Sequence, residues 1–184
     1  LHNTDESKDL KSKSYRRIVF DEICANFITL SKNRRIIKKR KINKNFNEGI
    51  SASIISSLPF KLTGDQKKVL KEINFDLKSN KRMFRILQGD VGSGKTIVSI
   101  LTILNVLEDN YQCALMGPTE ILAFQHYKLV KKLLKNTNIN IEFLSGKTEL
   151  SKKNLILKKL NKGEINIIIG THALFQKKIN FYKL

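Results

Sequence analysis

The stretch that decides the fold is Gly89-Asp90-Val91-Gly92-Ser93-Gly94-Lys95-Thr96, which fits the pattern G-x-x-x-x-G-K-[ST] at every fixed position. A short apolar run at 83–87 precedes it, and an apolar segment with helical character follows it to Glu108. Glycines let backbone N–H groups approach phosphate oxygens, and a helix N-terminus adds partial positive charge. The sequence therefore predicts a phosphate-binding loop (P-loop, residues 89–96) between a strand and a helix.

Two residues at the end of the P-loop can act on a bound nucleotide. Lys95 can reach the β- and γ-phosphates of a nucleoside triphosphate, and the Thr96 hydroxyl can ligate Mg²⁺. We therefore predict catalytic roles for both, a metal-binding role for Thr96, and a nucleoside triphosphate with Mg²⁺ as the bound cofactor. An ordinary glycine-rich turn is the alternative. Kinases, transporters, GTPases and motor ATPases share such a loop, so it does not name the reaction.

Apolar runs alternate with segments of helical periodicity after residue 58. The pattern predicts strands at 83–87, 113–116, 141–144 and 165–169, and helices after Thr63, at 96–108, 119–135 and 150–162. This alternation predicts an α/β fold with a parallel sheet covered on both faces. Ligands of open parallel sheets bind beyond the carboxyl ends of the strands, so we expect the loops there to line one edge.

The N-terminal part has a different character. Apolar residues at three- and four-residue spacing, from Phe20 to Leu30, predict an amphipathic helix from Arg16 to about Ile37. Within it, Ile18–Glu22 superficially resembles the strand-plus-carboxylates motif that holds Mg²⁺ in ATPases. We reject that interpretation, because the segment precedes the P-loop and its apolar spacing is helical.

A basic segment follows this helix. Eight of the thirteen residues at 32–44 are Lys or Arg and none is acidic, so we expect the segment to be exposed. It is either a solvated linker or a contact for the phosphate backbone of a nucleic acid. Residues 45–59 are interpreted as a connector. We predict a helical extension and basic linker over 1–57 and a second domain over 58–184.

Composition narrows the class of protein. The 184 residues carry 35 Lys and Arg against 16 Asp and Glu, a formal charge of +19, which favours a polyanionic partner. The hydrophobic fraction of 41% excludes bulk disorder, and no apolar run approaches the ~20 residues that span a bilayer. The polar N-terminus does not fit a signal peptide. Two cysteines, Cys24 and Cys113, are expected to be buried reduced thiols in a cytoplasmic protein.

Four groups of segments, in order, resemble the superfamily 2 DNA helicases, and most closely the RecG family. They are Leu58–Gln66, Gln88–Thr96, Gly117–His126, and the pair Leu144–Gly146 and Gly170–Leu174. The resemblance covers residues 58–184 well. Residues 1–44 resemble the helical stretch that precedes the motor in that family, but this similarity is less specific. The related transcription-repair coupling translocase is the nearest alternative.

The resemblance implies that 58–184 is the N-terminal part of a truncated RecA-like P-loop NTPase motor domain, in which Gln66 recognises adenine. It also implies DNA-backbone contacts by the residues of the strand-end loops, namely Pro118, Thr119, Gln125, Ser145, Gly146, Gly170, Thr171 and His172. Such contacts read no base sequence, which suits a translocase. The implied whole protein is a monomeric ATP-dependent DNA helicase that remodels forks and recombination junctions in DNA repair, without a membrane partner.

Some catalytic parts of that family have no counterpart in the sequence. No Asp-Glu pair follows a strand after the P-loop, and the arginine finger of a second motor domain is also missing. We therefore expect the 184 residues alone to be inactive. The alternative from another class is a non-enzymatic nucleic-acid-binding module with a degenerate nucleotide site. We interpret His126 and His172 as structural or DNA-contacting residues rather than catalytic bases.

Overall fold

A computed structural model describes residues 12–37, 41–176 and 179–184, and for 34–37 it describes the backbone only. The N-terminal stretch before residue 12 and much of the basic segment lie outside the described residues. The chain divides into two compact units. One contains the described residues up to Ile42 together with Asn80–Phe84, and the other contains Asn43–Ser79 and Arg85–Leu184.

The first unit is built on helix α1, Lys13–Ile37, so the predicted amphipathic helix is confirmed with an earlier start. The rejected carboxylate motif lies inside α1, where Asp21 accepts a hydrogen bond from Arg17 at 3.1 Å, one helical turn away. The apolar side chains Phe20, Ile23 and Phe27 are about half exposed or more.

The second unit contains a three-stranded parallel sheet. Its strands are β1 (Cys113–Met116), β2 (Ile141–Leu144) and β3 (Ile167–Gly170), in the order β1-β3-β2. The central strand β3 is buried throughout, which explains its unbroken apolar sequence. The first two strands coincide with their predicted ranges, and the third begins two residues later than predicted. The α/β class with a parallel sheet is confirmed.

Five helices surround this sheet in the second unit. They are α2 (Gly49–Ser57), α3 (Gly64–Lys78), α4 (Lys95–Leu107), α5 (Glu120–Leu133) and α6 (Leu150–Asn161), followed by a 3₁₀ turn at His172–Phe175. One core joins α2, α3, α4 and α5 to one face of β3, through Ile167 and Ile169. The other joins α6 to the opposite face, through Ile168. No helix in the described residues combines the length and apolar character needed to cross a bilayer.

Local signals fix the starts of two helices next to the candidate site. Thr63 and Gln66 form a reciprocal capping box at the start of α3. The Thr119 hydroxyl accepts a hydrogen bond from the Leu122 N–H at the start of α5. The helix predicted to follow Thr63 is confirmed, with Thr63 as its N-cap.

The strand predicted at 83–87 is wrong. The segment has no regular secondary structure and is not part of the sheet that the described residues form. Its side chains Phe84 and Ile86 are 65% and 85% exposed. The connector predicted at 45–59 is also wrong in part, because it contains α2.

Helix α2 depends on a carboxylate from a distant part of the chain. Its N-cap residue Glu48 has a left-handed φ of 63° and makes no side-chain cap. The Glu108 carboxylate, just after α4, instead accepts N–H hydrogen bonds from Asn47, Glu48 and Ile50 at 2.9, 2.8 and 2.6 Å. An anion at a helix N-terminus is stabilising, so Glu108 replaces a local cap.

We therefore expect Glu108→Ala to lower the free energy of unfolding by about 1–3 kcal/mol, because three backbone donors lose a charged acceptor. Urea unfolding followed by circular dichroism measures this. The matched control is Glu164→Ala, because among the described residues the Glu164 side chain makes only an exposed ion pair with Lys162 at 4.0 Å. Equal stability losses in the two variants would contradict the role of Glu108.

Candidate functional site

The P-loop is folded as a compact turn that opens directly into α4. Gly92 and Gly94 have φ values of 84° and 85°, a left-handed conformation that other residues rarely adopt. Gly94 is the N-cap of α4, and its carbonyl accepts hydrogen bonds from the N–H groups of Ile97 and Val98. The free N–H groups of the first turn of α4 thus lie beside the loop, as anion binding requires.

The Lys95 side chain folds back into the P-loop. Its ammonium group donates hydrogen bonds to the carbonyls of Gly89 and Asp90 at 2.7 and 2.6 Å. An ammonium group has three donors, so one remains for a phosphate oxygen. This arrangement holds a positive charge inside the loop without a carboxylate partner, which suits binding of a polyphosphate.

Gln66 connects the start of α3 to the P-loop. Its amide oxygen accepts a hydrogen bond from the Thr63 N–H at 3.0 Å, and its amide nitrogen donates to the Ser93 carbonyl at 2.9 Å. A Cβ at Gly94 would displace this amide, and the φ of 85° at Gly94 already disfavours any residue other than glycine. The structure thus brings Gln66 together with the predicted loop.

A cleft of about 420 Å³ lies between α3 and the P-loop. Its walls combine apolar side chains, including Val69 and Val98, with the polar groups of Gln66, Asp90 and Lys95. This mixture is typical of a small-molecule site. None of the strand-end loop residues lines the cleft, so the predicted nucleotide residues and the predicted DNA residues form separate groups.

The segment that enters the P-loop is held by ion pairs rather than by a sheet. Arg85 donates to Asp76 at 2.6 Å and to Glu72 at 3.0 Å, both on α3. Hydrogen bonds to Asp76 and then to Glu72 raise the pKa of the Arg85 guanidinium. Sequence reasoning missed these ion pairs, because no local pattern links Arg85 to Glu72 and Asp76.

The residues present fit a magnesium-bound nucleotide. The Thr96 hydroxyl hydrogen-bonds to no described residue, so it is free to ligate a metal, and the loop glycines leave backbone donors accessible. No group of three or more metal-ligating side chains occurs among the described residues, so Mg²⁺ here would depend on Thr96, phosphate and water. Cys113 is not a ligand candidate, because burial raises the pKa of its thiol to about 12.

The three strand-end loops leave the sheet at one edge. Met116 and Leu144 are both in register with Gly170, so the segments that begin at Gly117, Ser145 and Thr171 start side by side. The Gly117 N–H also donates to the Gly170 carbonyl at 2.8 Å. The expectation that these loops share an edge is confirmed for 117–120, 145–148 and 170–172.

The predicted DNA-contact residues differ in exposure. Ser145, Gly170 and Thr171 are buried, so none of these three residues is open to solvent. The exposed members of the predicted set are Pro118, Thr119, Gln125, Gly146 and His172. A ligand at this edge would therefore meet the exposed residues first.

One residue at this edge was missed by sequence reasoning. The Glu120 carboxylate accepts a hydrogen bond from the Ser145 hydroxyl at 3.0 Å and lies 3.5 Å from the Lys147 ammonium. No sequence signal links these positions, because the pairing depends on how β1 and β2 are placed in the sheet.

Comparison with known proteins agrees with this geometry. The family model described as DEAD/DEAH box helicase matches residues 63–183. The chain is 44% identical over 92% of its length to the ATP-dependent DNA helicase RecG of Aquifex aeolicus. It is 41% identical over 94% of its length to the protein of the same name from Thermotoga maritima. It covers only 22% of the length of each of these relatives.

A solved structure of RecG bound to a three-way DNA junction is also similar. It matches 85% of this chain at 43% sequence identity with a TM-score of 0.77, and the match covers 21% of that protein. This likeness supports the RecA-like character of the fold. Because the family model matches more than half of the chain, including the P-loop and all three strand-end loops, the chain belongs to the DEAD/DEAH box helicase family.

Proposed function

We propose that this chain is part of a RecG-type, ATP-dependent DNA helicase that remodels branched DNA such as replication forks and recombination junctions. The observation that carries the proposal is the P-loop, with Lys95 held inside it and Gln66 at its side. The similar RecG proteins, one of them bound to a DNA junction, support the choice among P-loop functions. A degenerate nucleotide site is disfavoured, since every fixed P-loop position is present.

In this proposal, the P-loop binds ATP with Mg²⁺ and its residues have separate roles. The third donor of the Lys95 ammonium stabilises negative charge on the β- and γ-phosphates, and backbone N–H groups of the loop hold the remaining oxygens. The Thr96 hydroxyl holds Mg²⁺. A metal there neutralises phosphate charge. Gln66 recognises adenine, because its amide retains a second N–H and a second lone pair beyond its two bonds.

The strand-end loops would contact the DNA backbone. Pro118, Thr119, Gln125, Gly146 and His172 are exposed at this edge or on α5, and the first turn of α5 has free N–H groups. Backbone contacts of this kind carry no base sequence information, which a translocase needs in order to move along any DNA. We further propose that the protein acts as a monomeric motor in the cytoplasm, consistent with its two free cysteines.

We expect Lys95→Ala in the full-length protein to lower the rate of ATP hydrolysis at least about 100-fold and to abolish ATP-driven unwinding, because transition-state charge loses its cation. A fork substrate with a fluorescent strand measures unwinding, and a phosphate-release assay measures hydrolysis. Lys71→Ala, an exposed lysine on α3, is the matched control. Unwinding at the wild-type rate by the Lys95 variant would contradict the proposed function.

Gln66→Ala tests adenine recognition separately from loop support. If Gln66 recognises the base, the variant raises KM for ATP about 5- to 20-fold and changes KM for GTP little, since only adenine loses its partner. Steady-state hydrolysis of both nucleotides measures this. Equal increases in KM for ATP and GTP would instead indicate that Gln66 supports the P-loop through its hydrogen bond to Ser93. Thr63→Ser, which keeps the capping hydroxyl, is the control.

A further inference from the structure

The Glu120 side chain bridges two loops that are not neighbours in the sheet. Glu120 begins α5, in the loop after β1, whereas Ser145 and Lys147 follow β2. Strand β3 lies between β1 and β2, so the two loops leave strands that are about 10 Å apart. The hydrogen bond from the Ser145 hydroxyl to Glu120, at 3.0 Å, crosses over the end of the central strand.

Ser145 is the fixed end of this bridge. It is 3% exposed, and its N–H donates to the Thr148 hydroxyl at 3.0 Å, so the 145–148 loop is closed on itself. The Ser145 hydroxyl accepts from the Lys147 N–H at 3.3 Å while it donates to Glu120. The single O–H donor of this hydroxyl is therefore used inside the protein and does not remain for a phosphate. What the loop can offer to DNA is the exposed backbone of Gly146 and the side chain of Lys147.

The ion pair between Glu120 and Lys147 contributes much less than this hydrogen bond. The Lys147 side chain is 85% exposed, and the charged atoms are 3.5 Å apart. Exposed pairs of this kind are screened and contribute little. A hydrogen bond from a buried hydroxyl to a carboxylate is charge-assisted and directional. The position of the loop therefore depends on the Ser145 to Glu120 bond.

The charge of Glu120 is unfavourable for binding a phosphate. The first turn of α5 attracts anions, and a carboxylate there repels a DNA phosphate that approaches the same N–H groups. Its presence cannot be explained by affinity for DNA. In contrast, the hydrogen bond between Glu120 and Ser145 keeps two candidate phosphate-contacting loops at a fixed distance from each other.

We propose that Glu120 is a positioning residue: through Ser145 it holds the 145–148 loop against the start of α5, so that the two loops contact DNA as one rigid unit. This inference rests on the proposed function. Replacement of Glu120 by alanine should tighten DNA binding slightly, because a negative charge is lost, while it weakens the link between DNA contact and ATP hydrolysis. Affinity and turnover should therefore respond in opposite directions, which a merely structural role would not produce.

The test compares Glu120→Ala, Glu120→Gln and a charge control in the full-length protein. Glu149→Ala is the control, because Glu149 follows the same loop and, within the described part of the chain, its side chain bonds only Ser151. For each variant, ATP turnover is measured without DNA and across a titration with fork DNA. This yields the DNA-stimulated rate at saturation and the DNA concentration that gives half of the stimulation.

We expect Glu120→Ala and Glu149→Ala to reach half of the maximal stimulation at up to about 3-fold lower DNA concentration, because each variant removes one negative charge. Of these two variants, only Glu120→Ala should have a lower DNA-stimulated rate of ATP turnover, by about 3- to 10-fold, which is the loss expected for one hydrogen bond. Its DNA-free turnover should be unchanged. Glu120→Gln retains an oxygen acceptor for Ser145 and should restore most of that rate. Ser145→Ala, which keeps the charge, should lower the stimulated rate as well.

The outcomes separate this inference from the function on which it rests. A wild-type protein without DNA-stimulated ATP turnover would overturn the proposed function and this inference with it. A stimulated wild type in which Glu120→Ala matches Glu149→Ala would overturn the inference alone. The inference would also be overturned if Glu120→Ala lost DNA-free turnover to the same extent as the stimulated rate. An unchanged stimulated rate in Ser145→Ala would overturn it as well. The Ser145 variant tests the bridge even if Glu120→Ala does not fold.

Discussion

The close approach of three strands at Gly170 is the constraint on which the candidate DNA edge depends. A Cβ at this position would collide with the Leu144 carbonyl oxygen and would lie 3.3 Å from the Leu174 side chain. Gly170 is in register with the last residues of both neighbouring strands, and its carbonyl accepts the Gly117 N–H. Because no side chain separates the strand ends, the loops that follow them begin side by side. Without that packing, residues from three distant parts of the chain would share no surface.

The parts of the fold that were predictable are those that local chemistry determines. Strands β1 and β2 coincide with their predicted ranges because short apolar runs between polar segments have few alternatives. Helix α3 begins where Thr63 and Gln66 can cap it. Helix α2 was missed because its cap, Glu108, lies 58–61 residues away along the chain. The strand at 83–87 was wrong because a strand also requires a partner, which no local pattern reveals.

The same distinction holds for the candidate site. The P-loop was predictable because its chemistry lies in eight consecutive residues, and the structure gives Gly92 and Gly94 the conformations that such a loop needs. The resemblance to a known family placed Gln66 near the nucleotide, but its bond to Ser93 could not be read from a spacing of 27 residues. The bridge between Glu120 and Ser145 depends on strand order, which the sequence left open.

Charge alone would suggest a simpler surface at the candidate DNA edge than the arrangement of charges that the structure shows there. With a formal charge of +19, the chain has ample long-range attraction for a polyanion, and each further cation would mainly tighten binding. A motor that moves along DNA must also release each contact, so tighter binding alone gives no advantage to movement. Fixed separation between two phosphate-contacting loops is a different requirement, and general positive charge cannot supply it. A carboxylate that accepts a hydrogen bond from a buried hydroxyl can fix this separation, because such a bond is short and directional. An acidic residue at the edge of a strongly basic chain is therefore consistent with DNA binding, because its contribution is geometric.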